Sequence, residues 1–584
     1  MRYAKLSPDL AAAAADFRTS GGSALAAHSQ ALAVVTPAAA VKKARVVVFL
    51  HTAGDGVDLD HLADLGVEVN GGGDAIRTGI VPLESLDALS EDPALTRIVP
   101  SRPLRLLMDV AGGAVSLPAF RNRSRLTGKG VVVGIVDSGI EVGHDSFVGR
   151  ISRLWDQTLN GQGVPEGRYG AELKGPTLSL SRDTNGHGTH VAGIAAGAHD
   201  LYGGVAPEAR LVVVKTDLQT AHVADGIRYI FRTAADMKRP AVVNLSLGGH
   251  DDAHDGTDSL SQVIDQSVGP GRIVCCAAGN EGNDNIHAQV QVRRGGTRTI
   301  ACAVARPAAN EPPTVASFTG WYSGADRVAV AAVSPSDEQT PFQPVLATGS
   351  PVRRYAFADG AVSIITPGPD TSNGDHNFVV QIEPAAGSAS APAPRGGWRL
   401  RLKGTRVTDG TVHLWSVDGR LAQLTGRTVA DSTKVGSPGS ATGAITVGSY
   451  TSKTTWEDVF GHPHQAGFDL NDISDFSSEG PRRDGGQKPD LAAPGAMVVS
   501  ALSVHSGVLP EHLIDSHHTI MAGTSMSAPF VSGLVALLLQ RDRTLGPEAV
   551  RELLRSHSKL PGQPGGQDRW DPKWGCGLID ARNL

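Results

Sequence analysis

The sequence predicts an α/β protein: a doubly wound, mostly parallel sheet, with a small α+β unit ahead of it and an all-β domain inserted into it. Three observations predict this. Near-continuous apolar runs (Val131–Val136, Leu211–Val214, Ala241–Leu245, Arg272–Ala277) alternate with helical stretches such as His190–Ala198 and Ala221–Ala235. Strands that are apolar on both faces belong to a parallel sheet covered by helices. Residues 285–431 lose the helical period and show short alternating runs instead. Finally, 584 residues exceed what one hydrophobic core holds.

Taken in order, residues 1–44 are alanine-rich and weakly patterned, and are expected to form a mobile or helical arm. Val46–Leu50 reads as a buried strand, and Leu59, Leu62, Ala63 and Leu65 recur at helical spacing until Gly66 stops them. Val67–Val69 and Ala75–Val81 read as strands, Leu83, Leu86 and Leu89 as a short helix, and Leu95–Val99 as a last strand. That βαββαβ order predicts a ferredoxin-like domain over residues 45–107. Residues 108–127 are a linker; Arg121, Arg123, Arg125 and Lys129 read as a solvated or protease-sensitive connector. The α/β domain occupies residues 128–284 and 432–584, and ends in a long apolar helix over Ser527–Gln540. In the insertion, Trp398–Lys403 alternates apolar and basic, while Val328–Val333, Val362–Ile365, Phe378–Ile382 and Val412–Val417 add strands. A β-sandwich or jelly-roll-like module is expected there.

Composition narrows the function. A net charge of −6 supplies no basic field, so nucleic acid is not an expected partner. No run reaches the ~18–20 apolar residues of a membrane span. Pro8, Asp9 and Asp16 break up the first alanine-rich stretch, and His28, Gln30 and Pro37 the second, so a signal peptide is not supported and a cytoplasmic location is expected. The four cysteines, Cys275, Cys276, Cys302 and Cys576, form neither a disulfide framework nor a zinc spacing, and the adjacent Cys275 and Cys276 read as small apolar filler.

Four polar residues stand where chemistry is done. Asp137 follows the apolar strand directly, at the carboxyl end where open α/β sheets place their sites, although a capping or turn aspartate looks the same. His187 lies in Asn185-Gly-His-Gly-Thr-His190, where the flanking glycines allow another backbone close to the imidazole. His190 makes a metal pair the rival reading, but no His-Glu-x-x-His motif or third ligand is present. Ser525, in Gly523-Thr-Ser-Met-Ser-Ala-Pro529, opens the longest apolar helix, either as its cap or as a nucleophile in the field of its N-terminus. Ser527 fills the last glycine position of G-x-S-x-G, so this is not the α/β-hydrolase elbow. Asn280, in Ala277-Ala-Gly-Asn-Glu-Gly282, is either a turn residue or an oxyanion donor. The loop His250–Gly256 has the residues to attract a cation but reads as solvated.

Asp, His, Asn and Ser thus occur in order, each in a glycine-bearing segment at a strand or helix end. Together with Asn244-Leu-Ser-Leu-Gly-Gly249 and Asp475–Gly495, these segments resemble the subtilisin-like serine proteases, the subtilases. The resemblance implies a serine endopeptidase with Ser525 as nucleophile, His187 as base and then acid, and Asp137 orienting the imidazole. It implies Asn280 and the Ser525 N–H as oxyanion hole, Ser246, Leu247 and Gly248 as the strand that pairs with substrate, and Ala278 and Gly279 as a pocket wall. The βαββαβ unit looks like the family's inhibitory propeptide, with self-cleavage expected within residues 105–125. Embedded jelly-roll modules are similar to those of Csp-type spore-germination relatives. A peptide or protein substrate is implied and no cofactor; structural calcium occurs in the family, but no residues here are assigned to it. Two other classes remain: a catalytically silent scaffold, and a metal hydrolase built on His187 and His190.

Overall fold

The computed structural model describes residues 5–20, 34–35, 44–71, 75–102, 105–106, 116–307, 314–346, 350–385, 397–562 and 569–584. The chain forms two compact units. One comprises Leu104–Gly249, His254–Asn283 and Ser432–Leu584; the other comprises Met1–Pro103, His250–Ala253 and Asp284–Asp431.

The first unit is built on a sheet of ten strands. From one edge they run Ser558–Lys559, Leu578–Ile579, Leu491–Ala496, Ile445–Thr451, Arg272–Ala277, Ala241–Leu245, Val132–Asp137, Arg210–Lys215, Ile151–Asp156 and Ala171–Leu173. The outermost strand at each edge is antiparallel and every other pairing is parallel. The chain starts in the middle at Val132–Asp137, winds out through Ile151 and Arg210, then returns to Ala241 on the other side and continues away. The winding therefore reverses between Val132–Asp137 and Ala241–Leu245, and a crevice opens at the carboxyl edge of such a switch point. The apolar runs form these strands because both faces are covered: Val132–Asp137 and Ala241–Leu245 are buried throughout. The helix Thr524–Arg541 lies in the core, buried on all sides from Thr524 to Leu539. The connector's C-terminal part is a helix, Leu117–Ser124. Leu117 and Phe120 anchor it in the α/β core, which leaves Arg123 and Arg125 at the surface. Residues 107–115 of the expected processing region lie outside the described residues.

In the second unit the βαββαβ prediction is realised as an antiparallel sheet in the order Leu95–Pro100, Arg45–Thr52, Ile76–Pro82, Glu68–Val69. Its first helical segment, Asp60–Leu65, is a 3₁₀ turn ended by Gly66 at φ 75°, where only glycine sits without strain. The insertion is a sandwich of a six-stranded and a four-stranded antiparallel sheet enclosing its own apolar core. Trp398, Leu400 and Leu402 point into that core, as their alternation predicted. The expected arm contains a helix, Pro8–Ser20, with Leu10 and Ala11 to Ala14 buried; the rest of residues 1–44 lies mostly outside the described residues. The N-terminal unit and the insertion thus share one compact body.

Candidate active site

Asp137 ends its strand fully buried, and its Oδ1 receives the Ser138 N–H at 2.7 Å and lies 2.8 Å from His187 Nδ1. An ionised carboxylate only accepts, so His187 Nδ1 carries the proton and Nε2 is left as the basic nitrogen. His187 opens the helix His187–Ala196 and is itself fully buried. Two glycines make this approach possible. Gly186 caps the helix at φ 90°, and a Cβ on Gly188 would lie 2.2 Å from the Gly139 carbonyl oxygen and 3.1 Å from Asp137 Cβ.

Asp183, which sequence reasoning did not single out, holds this turn in place. Its Oδ1 accepts from Ser138 Oγ, Asn185 N and Gly186 N, and its Oδ2 from Thr189 N and Thr189 Oγ1. Fully buried, it satisfies donors at the helix N-terminus that would otherwise be orphaned.

Ser525 is the second residue of its helix, and its hydroxyl donates to the Ser246 carbonyl at 3.0 Å instead of capping. The helix of His187 packs against that of Ser525. Pro529 stands four residues after Ser525, so the helix offers no N–H to the Ser525 carbonyl. Ser246 Oγ supplies that bond instead, at 2.7 Å. Behind it, Asn244 Nδ2 donates to Ser246 Oγ at 2.9 Å and Ser532 Oγ donates to Asn244 Oδ1 at 2.9 Å. The serine is seated by a buried polar row in which Asn244 and Ser532 were not foreseen.

Asn280 ends the next strand region. Its Oδ1 accepts from Thr524 N and Thr524 Oγ1, both at 2.9 Å, which turns the Nδ2 donors the other way. Ala278 is buried, and Gly279 has φ 119°, with a Cβ there only 2.5 Å from Ser478 Oγ. Ser478 and the Asn280 N–H both donate to Glu281 Oε2. Ser246 and Leu247 are buried, and Leu247–Gly248 forms a short strand paired antiparallel with Arg105–Leu106 of the same chain.

His190 behaves unlike His187. Its Nε2 is 3.2 Å from the Val498 carbonyl, and burial, with His187 adding to it, lowers its pKa to about 3. It is a neutral core histidine. Among the described residues no group of three or more His, Cys, Asp or Glu side chains is arranged to hold a metal ion. The loop at His250–Gly256 is not solvated as expected: His250, Asp252, His254 and Asp255 are buried, Asp251 pairs with Arg102 at 2.8 Å, and Asp255 pairs with Arg483. Basic partners remote in sequence neutralise what looked like a polar surface string. All four cysteines are free and buried, and burial pushes the Cys275 thiol up to about 12.

A profile of the subtilase family matches residues 128–350 and 403–577, more than half of the chain. The chain belongs to the subtilase family. It is a subtilisin-like serine endopeptidase, acting on peptide or protein. Serine protease AprX of Bacillus subtilis is 24% identical over 527 residues, covering 86% of this chain and 77% of that protein. The intracellular serine protease of Paenibacillus polymyxa is 32% identical over 29% of this chain and 47% of its own length, and subtilisin E of Bacillus subtilis 31% over 37% and 50%. The Clostridium perfringens CspB protease structure shares the fold at TM-score 0.64 and 23% identity, over 80% of this chain and 94% of that one.

Proposed function

We propose that this subtilase cleaves peptide bonds through an acyl-enzyme on Ser525, with His187 and Asp137 completing a catalytic triad, and that the chain is a precursor held inactive by its own N-terminal segment. The observation that carries the first part is the buried 2.8 Å bond between Asp137 Oδ1 and His187 Nδ1 beside the Ser525 helix. As the Ser525 oxygen attacks the substrate carbonyl carbon, its proton passes to His187 Nε2, and the imidazolium that forms is stabilised by Asp137. The oxyanion is met by Asn280 Nδ2 and by the Ser525 N–H, a first-turn donor with no intrahelical acceptor. His187 then protonates the leaving amine, and water, activated by the same imidazole, releases the acid and restores the serine.

Leu247–Gly248 is the edge to which a substrate adds as a strand, with Ala278 and Gly279 walling the pocket for the side chain before the cut. The Arg105–Leu106 strand on that edge supports the precursor reading, because it occupies the place of substrate. Cleavage of a peptide library by wild type, absent for Ser525→Ala, tests the triad. N-terminal sequencing of the active form tests the precursor: a start within residues 105–125 is expected, and full activity with residue 1 attached overturns obligatory processing.

A cytoplasmic site of action is the reading we favour. Among the described residues no helix is long and apolar enough to cross a membrane. The four unpaired cysteines and the intracellular protease of Paenibacillus polymyxa support the reading. Fractionation of the source cells checks it.

A further inference from the structure

We propose that the inserted sandwich is the receptor for the chain's own N-terminal unit, and keeps that unit bound after the connection between them is cut. The surface in question is the sheet formed by Val352–Phe357, Gly360–Ile365 and His376–Pro384, against which the helix Pro8–Ser20 packs.

The helix is alanine-rich because it is gripped from two sides. Leu10, Ala11, Ala13 and Ala14 join the apolar core of the N-terminal sheet, whereas Ala12, fully buried, packs with Val352, Ile365 and Val379 of the insertion. Small side chains on both faces let two sheets close on one helix, and a larger residue at position 12 would wedge them apart. Charge is complementary in both directions. Arg97, on the last strand of the N-terminal sheet, places Nη2 2.6 Å from Asp370 Oδ2 of the insertion, with the side chains only 12% and 5% exposed. In return Arg354 of the insertion pairs with Asp16 of the helix. The Asp370 carboxylate is built to receive Arg97: its Oδ1 is taken by Ser372 N and Oγ, which aims Oδ2 at the guanidinium. A desolvated pair of this kind slows dissociation, since removing either partner strands the other charge. None of these contacts involves residues 105–125, so cutting there leaves them intact.

The proposal rests on the precursor reading only for its occasion, and the test separates the two. A recognition site for an external sequence-specific protease is placed within residues 107–115 of full-length Ser525→Ala, the chain is cut, and size-exclusion chromatography follows the N-terminal fragment. Co-elution with the remainder is expected. In Arg97→Ala, Asp370→Ala and Ala12→Arg the fragment should leave roughly 30- to 100-fold faster, and the charge exchange Arg97→Asp with Asp370→Arg should restore part of the retention. Melting of each uncut variant verifies that it is folded. Loss of the fragment from the unaltered cut chain, or retention equal in folded Arg97→Ala and in Ala12→Arg, would overturn the proposal. Whether the Ser525 form cuts itself is read separately from its intact mass, so failure of processing and failure of retention give different results.

Discussion

The parallel sheet of the first unit and the antiparallel sandwich of the insertion bury similar rows of Val, Leu and Ile, but they use polar residues differently. Parallel strands bring all their carboxyl ends to one edge, so Asp137, Asn244 to Ser246 and Asn280 meet there within three neighbouring strands. In the sandwich, adjacent strands end at opposite edges, so polar strand ends do not converge on one edge. Gln343 spends its amide on the Pro351 and Ile364 carbonyls, and neither ring nitrogen of buried His376 has a partner among the described residues. Convergence of strand ends is what lets one architecture do chemistry while the other serves as a body to bind against.

That contrast can be broken or sharpened by substitution. Asn280→Ala should lower kcat by about 10²- to 10³-fold with KM little changed, because the amide acts on charge that appears only in the transition state. A KM effect alone would demote it to a binding residue. Ser246→Ala orphans the buried Ser525 carbonyl and Asn244 amide, and should cost about 1–3 kcal/mol in denaturant unfolding, together with some activity. The two bodies should share a weakness to acid. Burial lowers His190 to about 3 and His376 to about 4 from an ordinary 6.5, so both are neutral when folded while the unfolded chain takes up protons. Their contribution is complete above pH 6.5 and is lost as pH falls toward those values. Urea midpoints should therefore drop between neutrality and pH 5, less steeply in folded His190→Gln or His376→Gln; an unchanged slope in both would refute this. The smallest effect is expected at Arg354→Ala: a side chain 47% exposed in its pair with Asp16 should change stability by no more than ~1 kcal/mol.

The legible parts of the sequence were those in which local pattern and function coincide. An apolar strand followed at once by Asp137, glycines on both sides of His187, and Ser525 at the head of a buried, largely apolar helix are each readable within ten residues. The βαββαβ order and the alternation at Trp398–Lys403 were readable for the same reason. What escaped depends on partners far along the chain. Asn244 and Ser532 meet across 288 residues, and the charges of His250–Gly256 look solvated until Arg102 and Arg483 are placed beside them. The alanines of Pro8–Ser20 favour a helix anywhere, and only the second face pressed on Ala12 explains why they are so small. Asp183 was hidden because a buried cap and a surface aspartate are spelled alike.

The central claim is that Ser525 is the nucleophile activated by His187. Its most direct test is fluorophosphonate labelling of the chain cut within residues 107–115 and then separated from its N-terminal fragment, with the adduct located by mass spectrometry. The account predicts a single adduct on Ser525, absent in Ser525→Ala and strongly reduced in His187→Ala. Peptide hydrolysis that persists in Ser525→Ala, or an adduct on another residue, would contradict it.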